Sequence, residues 1–197
     1  MVRGLSDVDL ARFLYVSLHL PSSYTADEER SVLKLAEGLA ERHWPLILHP
    51  DAIRDWAAWK SFGRLLCLEN MDKRKGIGRT ADELSRCFDR LPEASFCFDF
   101  GHAKQVDSTM CHAYRILQRF QDRMRQYHFS DVDSSNRHRK LNIPALHAFS
   151  QVRPLCPPNL PVILESLVVD GGAEVEISLA ESFFGQATPL TSLYAAA

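Results

Sequence analysis

Arg64-Leu-Leu-Cys-Leu-Glu-Asn-Met71 is a short apolar run that stops abruptly on a carboxylate and an amide. Leu65 to Leu68 is too short for a helix and reads as a strand buried on both faces, the pattern of a parallel sheet covered on both sides. A carboxylate where such a strand stops is costly unless it meets a cation, a proton or a hydrogen-bond donor. Four further stretches share this grammar of an apolar run closed by His, Asp or Glu: Leu46-Ile-Leu-His49, Ser95-Phe-Cys-Phe-Asp99, Met124-Arg-Gln-Tyr-His128 and Pro161-Val-Ile-Leu-Glu165. An earlier strand, Leu14-Tyr-Val-Ser-Leu-His19, ends on a histidine as well.

Helical patterns fill the gaps. Leu10 to Tyr15 reads as a helix end that runs into the first strand. Asp27 to Arg42 carries Val32, Leu35, Ala36, Leu39 and Ala40 at helical spacing. Ala52 to Phe62 is expected to form a second helix. Thr80 is an N-cap candidate, with Glu83 completing a capping box, for a helix to about Leu91. A long helix is expected from about Ser108 to Gln126, a polar loop from Asp131 to Lys140, and helices from about Pro144 to Val152 and from Ala173 to Phe184. The Ala-rich tail from about residue 186 is expected to be flexible.

Strand and helix thus alternate six times, which calls for right-handed βαβ units and a parallel sheet. An open doubly wound sheet usually carries a Gly-rich phosphate loop after its first strand, and nothing like GxGxxG follows the early strands here. Reactive residues at the ends of nearly every strand fit a TIM-type (β/α) barrel, whose active site gathers at that rim. The expectation is an α/β fold: a single domain over residues 1–197, a TIM-type barrel incomplete at the N-terminus, with about six of eight βα units and the first two missing.

Composition narrows the function. With 197 residues, 46% of them hydrophobic, the chain can bury a core. No apolar run approaches the roughly 20 residues of a membrane span, and no signal peptide opens the chain. The five cysteines are odd in number and lack CxxC spacing, as expected of reduced thiols in the cytoplasm. A formal net charge of −2 gives no general pull on nucleic acid.

Glu69, Asp99, His128 and Glu165 each close a strand, and a barrel would point all four into one mouth. Packed together without a metal they would repel and neutralise one another. Three carboxylates and an imidazole suit a hard or borderline divalent ion, Mn²⁺ or Zn²⁺ first, Mg²⁺ or Co²⁺ next. His102 follows Asp99 by three residues, and Gly101 would permit a tight turn that folds it back over the site. His19, His49 and His138 are further ligands for substrate or metal, with Arg137 a hydrogen-bond donor and Asp131 an orienting group. Lys73, Arg74, Lys75 and Arg79 form a basic cluster able to hold a phosphate or carboxylate. His43, His112 and His147 fall on helices and receive no role.

Leu-Glu69-Asn, Asp99-Phe-Gly-His102-Ala, His128-Phe-Ser-Asp131 and Val-Ile-Leu-Glu165-Ser together resemble the xylose-isomerase-like TIM-barrel superfamily over roughly residues 14 to 184. That group holds sugar isomerases and epimerases, and also the endonuclease IV and UV-damage endonuclease families. The resemblance implies that His19 stands on the third barrel strand and Glu165 on the eighth. In the epimerase-like branch it implies one metal on Glu69, Asp99, His128 and Glu165, with Glu69 and Glu165 also the acid/base pair. In the endonuclease IV branch it implies three zinc ions. His19, His49 and Glu69 would hold one; Glu69 would bridge to a second held by Asp99, His128 and Glu165; His102 and His138 would help hold the third. That branch has an aspartate two residues before the last histidine, where Asn136 stands here.

The first expectation is a metal-dependent sugar or sugar-phosphate isomerase/epimerase-like enzyme, moving a proton through a metal-stabilised enediolate. The alternative is a metal-dependent phosphodiesterase on abasic or damaged DNA, which demands a basic groove. A third is an inactive truncated barrel that only binds a ligand or partner. Unpaired sheet edges would favour association, including with a second copy.

Overall fold

The structure, a computed structural model, describes residue 10 and residues 13–169 and 171–185. Six segments pair edge to edge: β1 (Leu18–His19), β2 (Leu46–Leu48), β3 (Leu66–Glu69), β4 (Ser95–Asp99), β5 (Met124–Phe129) and, after a hairpin, β8 (Val162–Leu164). All are parallel, in the order β1-β2-β3-β4-β5-β8. Neighbouring strands lie about 4.8 Å apart, so β1 and β5 would be about 19 Å apart in a flat sheet. The rings of His19 and His128 on those strands are instead 5.9 Å apart. The sheet is curled into an incomplete barrel, as the strand grammar predicts.

Curling gives the sheet two faces of different character. The outer face carries the main core. Leu48, Leu68, Phe96, Phe98 and Tyr127 meet the apolar stripes of α1 (Ala26–Ala40), α3 (Ala81–Arg90) and α5 (Cys111–Phe120). On α5 the stripe is Ala113, Ile116, Leu117 and Phe120, the i, i+3, i+4, i+7 spacing of one helix face. Ile47, Cys67 and Cys97 form a small separate cluster. Each lies two residues before His49, Glu69 and Asp99, hence on the same inner face one layer deeper.

Several elements differ from expectation. The first strand is only Leu18–His19, and Phe13 to Ser17 run as irregular chain; residues 11 and 12 and the tail from 186 lie outside the described residues. The helix expected over Ala52–Phe62 reduces to α2 (Trp56–Trp59) followed by a 3-10 segment. Glu29 of α1 is the cause: its carboxylate accepts the backbone N–H groups of Arg54 and Asp55 and the indole of Trp59, which holds that backbone extended. Thr80 does cap α3, but Glu83 reaches back to Arg79 rather than closing a capping box. The full box forms on α1, between Thr25 and Glu28.

The long helix expected from Ser108 starts only at Cys111, because Asp107 gathers the Thr109 and His112 N–H groups and Met110 turns left-handed at φ 61°. It ends at Phe120, before the 3-10 turn Gln121–Arg123 that leads into β5. An unexpected helix, α4 (Phe100–Val106), begins directly after β4. The polar segment after β5 is not an open loop: β6 (Asp131–Val132) and β7 (His138–Arg139) pair antiparallel. The last two helices are α6 (Ile143–Ser150) and α7, which spans Ala173–Phe184 as predicted. No helix among the described residues is long and apolar enough to cross a membrane.

Candidate metal centre

The rim of the curled sheet is built by chain register. In the ladders Asp99 is level with His128, whereas Glu69 pairs with Cys97, two residues before Asp99, so Glu69 sits one layer deeper than the polar ends of β4 and β5. Asn70 locks two of these ends together: its amide nitrogen donates to the Asp99 carbonyl at 2.9 Å and its amide oxygen accepts the Asp99 N–H at 2.8 Å. Asp99 then caps α4 by accepting the His102 N–H at 2.6 Å. His102 is therefore delivered by the first turn of a helix, not by a tight loop turn. Gly101 is needed for a different reason from the one expected. A Cβ there would strike Val132 and sit 2.9 Å from the Ser130 carbonyl.

Glu69 is the hub. Its side chain is 1% exposed, and four imidazoles converge on it: His102 Nδ1 at 3.1 Å, His19 Nε2 at 3.2 Å, His49 Nε2 at 3.4 Å and His128 Nδ1 at 3.4 Å. His128 Nδ1 also lies 3.2 Å from Glu165 and 3.9 Å from Asp99. His138 Nδ1 is 3.5 Å from Glu165 and bonds Ser130 Oγ at 2.8 Å. The β6–β7 hairpin is what turns His138 back to this position. The structure thus brings together Glu69, Asp99, His128, Glu165, His19, His49, His102 and His138.

Ionisation follows the crowding. Burial opposes charge on Glu69, but the close imidazoles of His128, His49 and His102 hold its carboxyl well below the ordinary range. Burial pushes Glu165 up to about 8, only partly offset by His128 and reinforced by the Asp99 and Glu69 charges. Burial works against charge on His102 and His128, yet Asp99 and Glu69 raise the first to about 10, and Glu69 and Glu165 raise the second to about 9. His138, half-buried and facing His102 and His128, is lowered.

These groups fit a divalent cation. Asp99 Oδ2, Glu165 Oε2 and His128 Nδ1 are buried and make no hydrogen bond, an expensive arrangement that a cation among them would relieve. Ligand atoms fall into three sets with members within 4.8 Å of one another: His19, Glu69 and His128; Glu69, Asp99 and His102; Asp99, His138 and Glu165. Such nitrogen and carboxylate sets suit Zn²⁺ or Mn²⁺.

Other candidates lie apart from the cluster. Arg137, with a side chain 64% exposed, pairs with Asp133 in the hairpin. Three of the four residues of the basic cluster are ion-paired: Arg74 with Asp72, Lys75 with Asp51 and Arg79 with Glu83. Asp131 binds Lys104 and Asn142. Asn136 turns the hairpin at φ 59° and its amide oxygen accepts from Gln105. Sequence reasoning gave no role to Asn70, Ser130 or Gln126. Asn70 and Ser130 directly follow a strand end, and Gln126 sits two residues before His128 on the same strand face, which was the available signal.

No family model and no curated protein matches the chain. Solved structures do. One is 3-keto-D-glucoside 4-epimerase from E. coli, 12% identical, with a TM-score of 0.54 over 87% of this chain and 76% of that one. What the likeness shows is a shared TIM-type (β/α) barrel fold. A xylose-isomerase-like barrel also appears in a Rhodospirillum rubrum protein named as a candidate xylose isomerase, 14% identical with TM-score 0.54 over 88% of this chain and 72% of that one. A third is AsbF from Bacillus anthracis, named as a candidate 3-DHS dehydratase involved in petrobactin synthesis, 12% identical with TM-score 0.53 over 85% and 76% of the two chains. At such identities the likeness speaks for the xylose-isomerase-like fold alone.

Proposed function

We propose that the chain is a divalent-metal-dependent enzyme of the isomerase/epimerase class, moving a proton at the carbon next to the carbonyl of a sugar or sugar phosphate. The observation that carries this reading is a pair of carboxyl groups at one imidazole: Glu69 lies 3.4 Å and Glu165 3.2 Å from His128 Nδ1, and Glu69 is 1% exposed where Glu165 is 21% exposed. Structural neighbours named for sugar epimerase and isomerase activities support the same class.

Glu69, Asp99, His128 and Glu165 would hold the ion, which when bound would supply Lewis-acid polarisation of the substrate carbonyl. Glu69, buried under four imidazoles, orients them. Glu165 keeps 21% of its side chain exposed, so it is the carboxyl with access to a substrate carbon. Its oxygens exchange the proton, and His138 beside Oε2 is placed to hand it on. His102 donates toward developing negative charge on the substrate.

One observation favours a second reading, hydrolysis of a phosphodiester in damaged DNA by several ions. The three ligand sets overlap, with Glu69 and Asp99 each in two of them, as bridging carboxylates would be. Metal analysis of the purified chain decides. One ion per chain, lost in Glu69→Gln and Glu165→Gln, together with solvent deuterium appearing at the α-carbon of a ketose, supports the isomerase. Three ions and nicking at abasic sites support the hydrolase. Unchanged metal content in both variants, or no uptake of Mn²⁺ or Zn²⁺ by the wild type, overturns the site assignment, and the second outcome leaves an inactive barrel.

A further inference from the structure

Beneath His128 the barrel interior holds two polar groups that the proposed reaction does not use. Gln126 is fully buried on β5, and one side of its amide lies 2.8 Å from His128 Nε2. The other side meets the Tyr15 hydroxyl at 2.6 Å, from the irregular segment that enters the barrel before β1. The apolar part of this interior is Ile47, Cys67 and Cys97, and the charged neighbour of the Tyr15 hydroxyl among the described residues is Arg125. A buried amide in such surroundings is retained only with its partners in place.

We propose that Gln126, held by Tyr15, is the positioning residue that commits the Nδ1 face of His128 to the carboxylate cluster. When the ring is neutral and the amide nitrogen faces it, Nε2 accepts and the ring proton sits on Nδ1, facing Glu69 and Glu165. Turned by half a rotation, the amide presents its oxygen, Nε2 carries the proton, and the Nδ1 lone pair is free for a cation. The Tyr15 hydroxyl donates in the first state and accepts in the second, so the carbonyl end and the amino end of Gln126 each keep a partner in both. A carboxamide suits both states, whereas a carboxylate or an aliphatic side chain serves one or none. The ligand identity of Nδ1 rests on the metal reading above; the hydrogen bond at Nε2 does not.

The test uses the full chain with ¹⁵N-labelled histidine. In Zn²⁺-loaded wild type, ¹⁵N correlation spectra should show the ion on Nδ1 of His128 and a slowly exchanging proton on Nε2. Gln126→Leu should lose that slow exchange and bind Zn²⁺ about 10- to 100-fold more weakly, as outer-sphere partners of ligating histidines generally do. Tyr15→Phe, which removes one oxygen, should lie between them. Zn²⁺ on Nε2, or a Gln126→Leu protein with wild-type affinity and an unchanged His128 spectrum, overturns the proposal. If the wild type takes up no Zn²⁺, the metal reading fails separately, and the metal-free spectra still decide: wild type and Gln126→Leu must differ in the protonation pattern of His128, and identical patterns sink the role of Gln126.

Discussion

Replacing Glu69 by glutamine keeps its shape and removes its charge, so it isolates the hub of the site. Glu69 is 1% exposed and faces four imidazoles at 3.1–3.4 Å. Two of these, His102 and His128, are raised to about 10 and about 9 largely by Glu69 and its carboxylate neighbours. Removing one partner of a buried ion pair typically costs about 3–5 kcal/mol. At about 2–4 °C per kcal/mol for a chain of this size, the metal-free variant should melt about 6–20 °C below wild type at pH 7. The same variant should fail to respond to metal. Zn²⁺ at about 100 times its dissociation constant adds about 2.7 kcal/mol to a protein that binds it in the folded state, or about 5–11 °C. The assay is thermal unfolding by circular dichroism in EDTA and in Zn²⁺. A variant that melts with the wild type in EDTA, or that gains the same increment in Zn²⁺, would refute the claim that Glu69 holds the cluster together.

The metal-free protein should lose stability as pH rises from 7 to 10. The raised His102 and His128 contribute stability that is present below 6.5 and lost through about 9 and about 10, and the neutral form favoured at Glu165 is given up by about 8. Acid destabilises through Glu69, whose depressed carboxyl must eventually take a proton. A Tm in EDTA that stays flat between pH 7 and 10 counts against these assignments. Gly101→Ala forces a Cβ against Val132 and the Ser130 carbonyl and should cost about 1–3 kcal/mol by overpacking. Chemical denaturation showing the variant as stable as wild type would remove the reason given for Gly101. Arg137→Ala should leave metal affinity within about twofold, since its guanidinium pairs with Asp133 on the exposed hairpin; a larger loss by calorimetry would restore Arg137 to the site.

Strand order and ligand spacing were legible because burial on both faces gives a strong local signal. Runs such as Leu46–Leu48 and Cys97–Phe98 have no other stable use than a covered parallel sheet, and a polar residue where each run ends stands out against it. The segments read less well owed their form to contacts from elsewhere in the chain. Glu29 reaches across from α1 to hold Arg54 and Asp55 out of a helix. Asp99 and Gly101 start α4 where the apolar periodicity is too short to register. Asp133 shapes the hairpin by accepting the Ser135 and Arg137 N–H groups, and no hydrophobic pattern marks it.

The sequence by itself determined that acids and imidazoles stand at the ends of parallel strands, since side-chain alternation and burial are local properties of each run. Only the tertiary structure decided their mutual distances. The curl of the sheet carries His19 of β1 to within 5.9 Å of His128 of β5, and the hairpin turns His138 onto Glu165. The same curl makes Glu69 the common neighbour of four imidazoles and sets Gln126 behind His128. Curvature accumulates over all the strands together, so no single stretch of the chain encodes it.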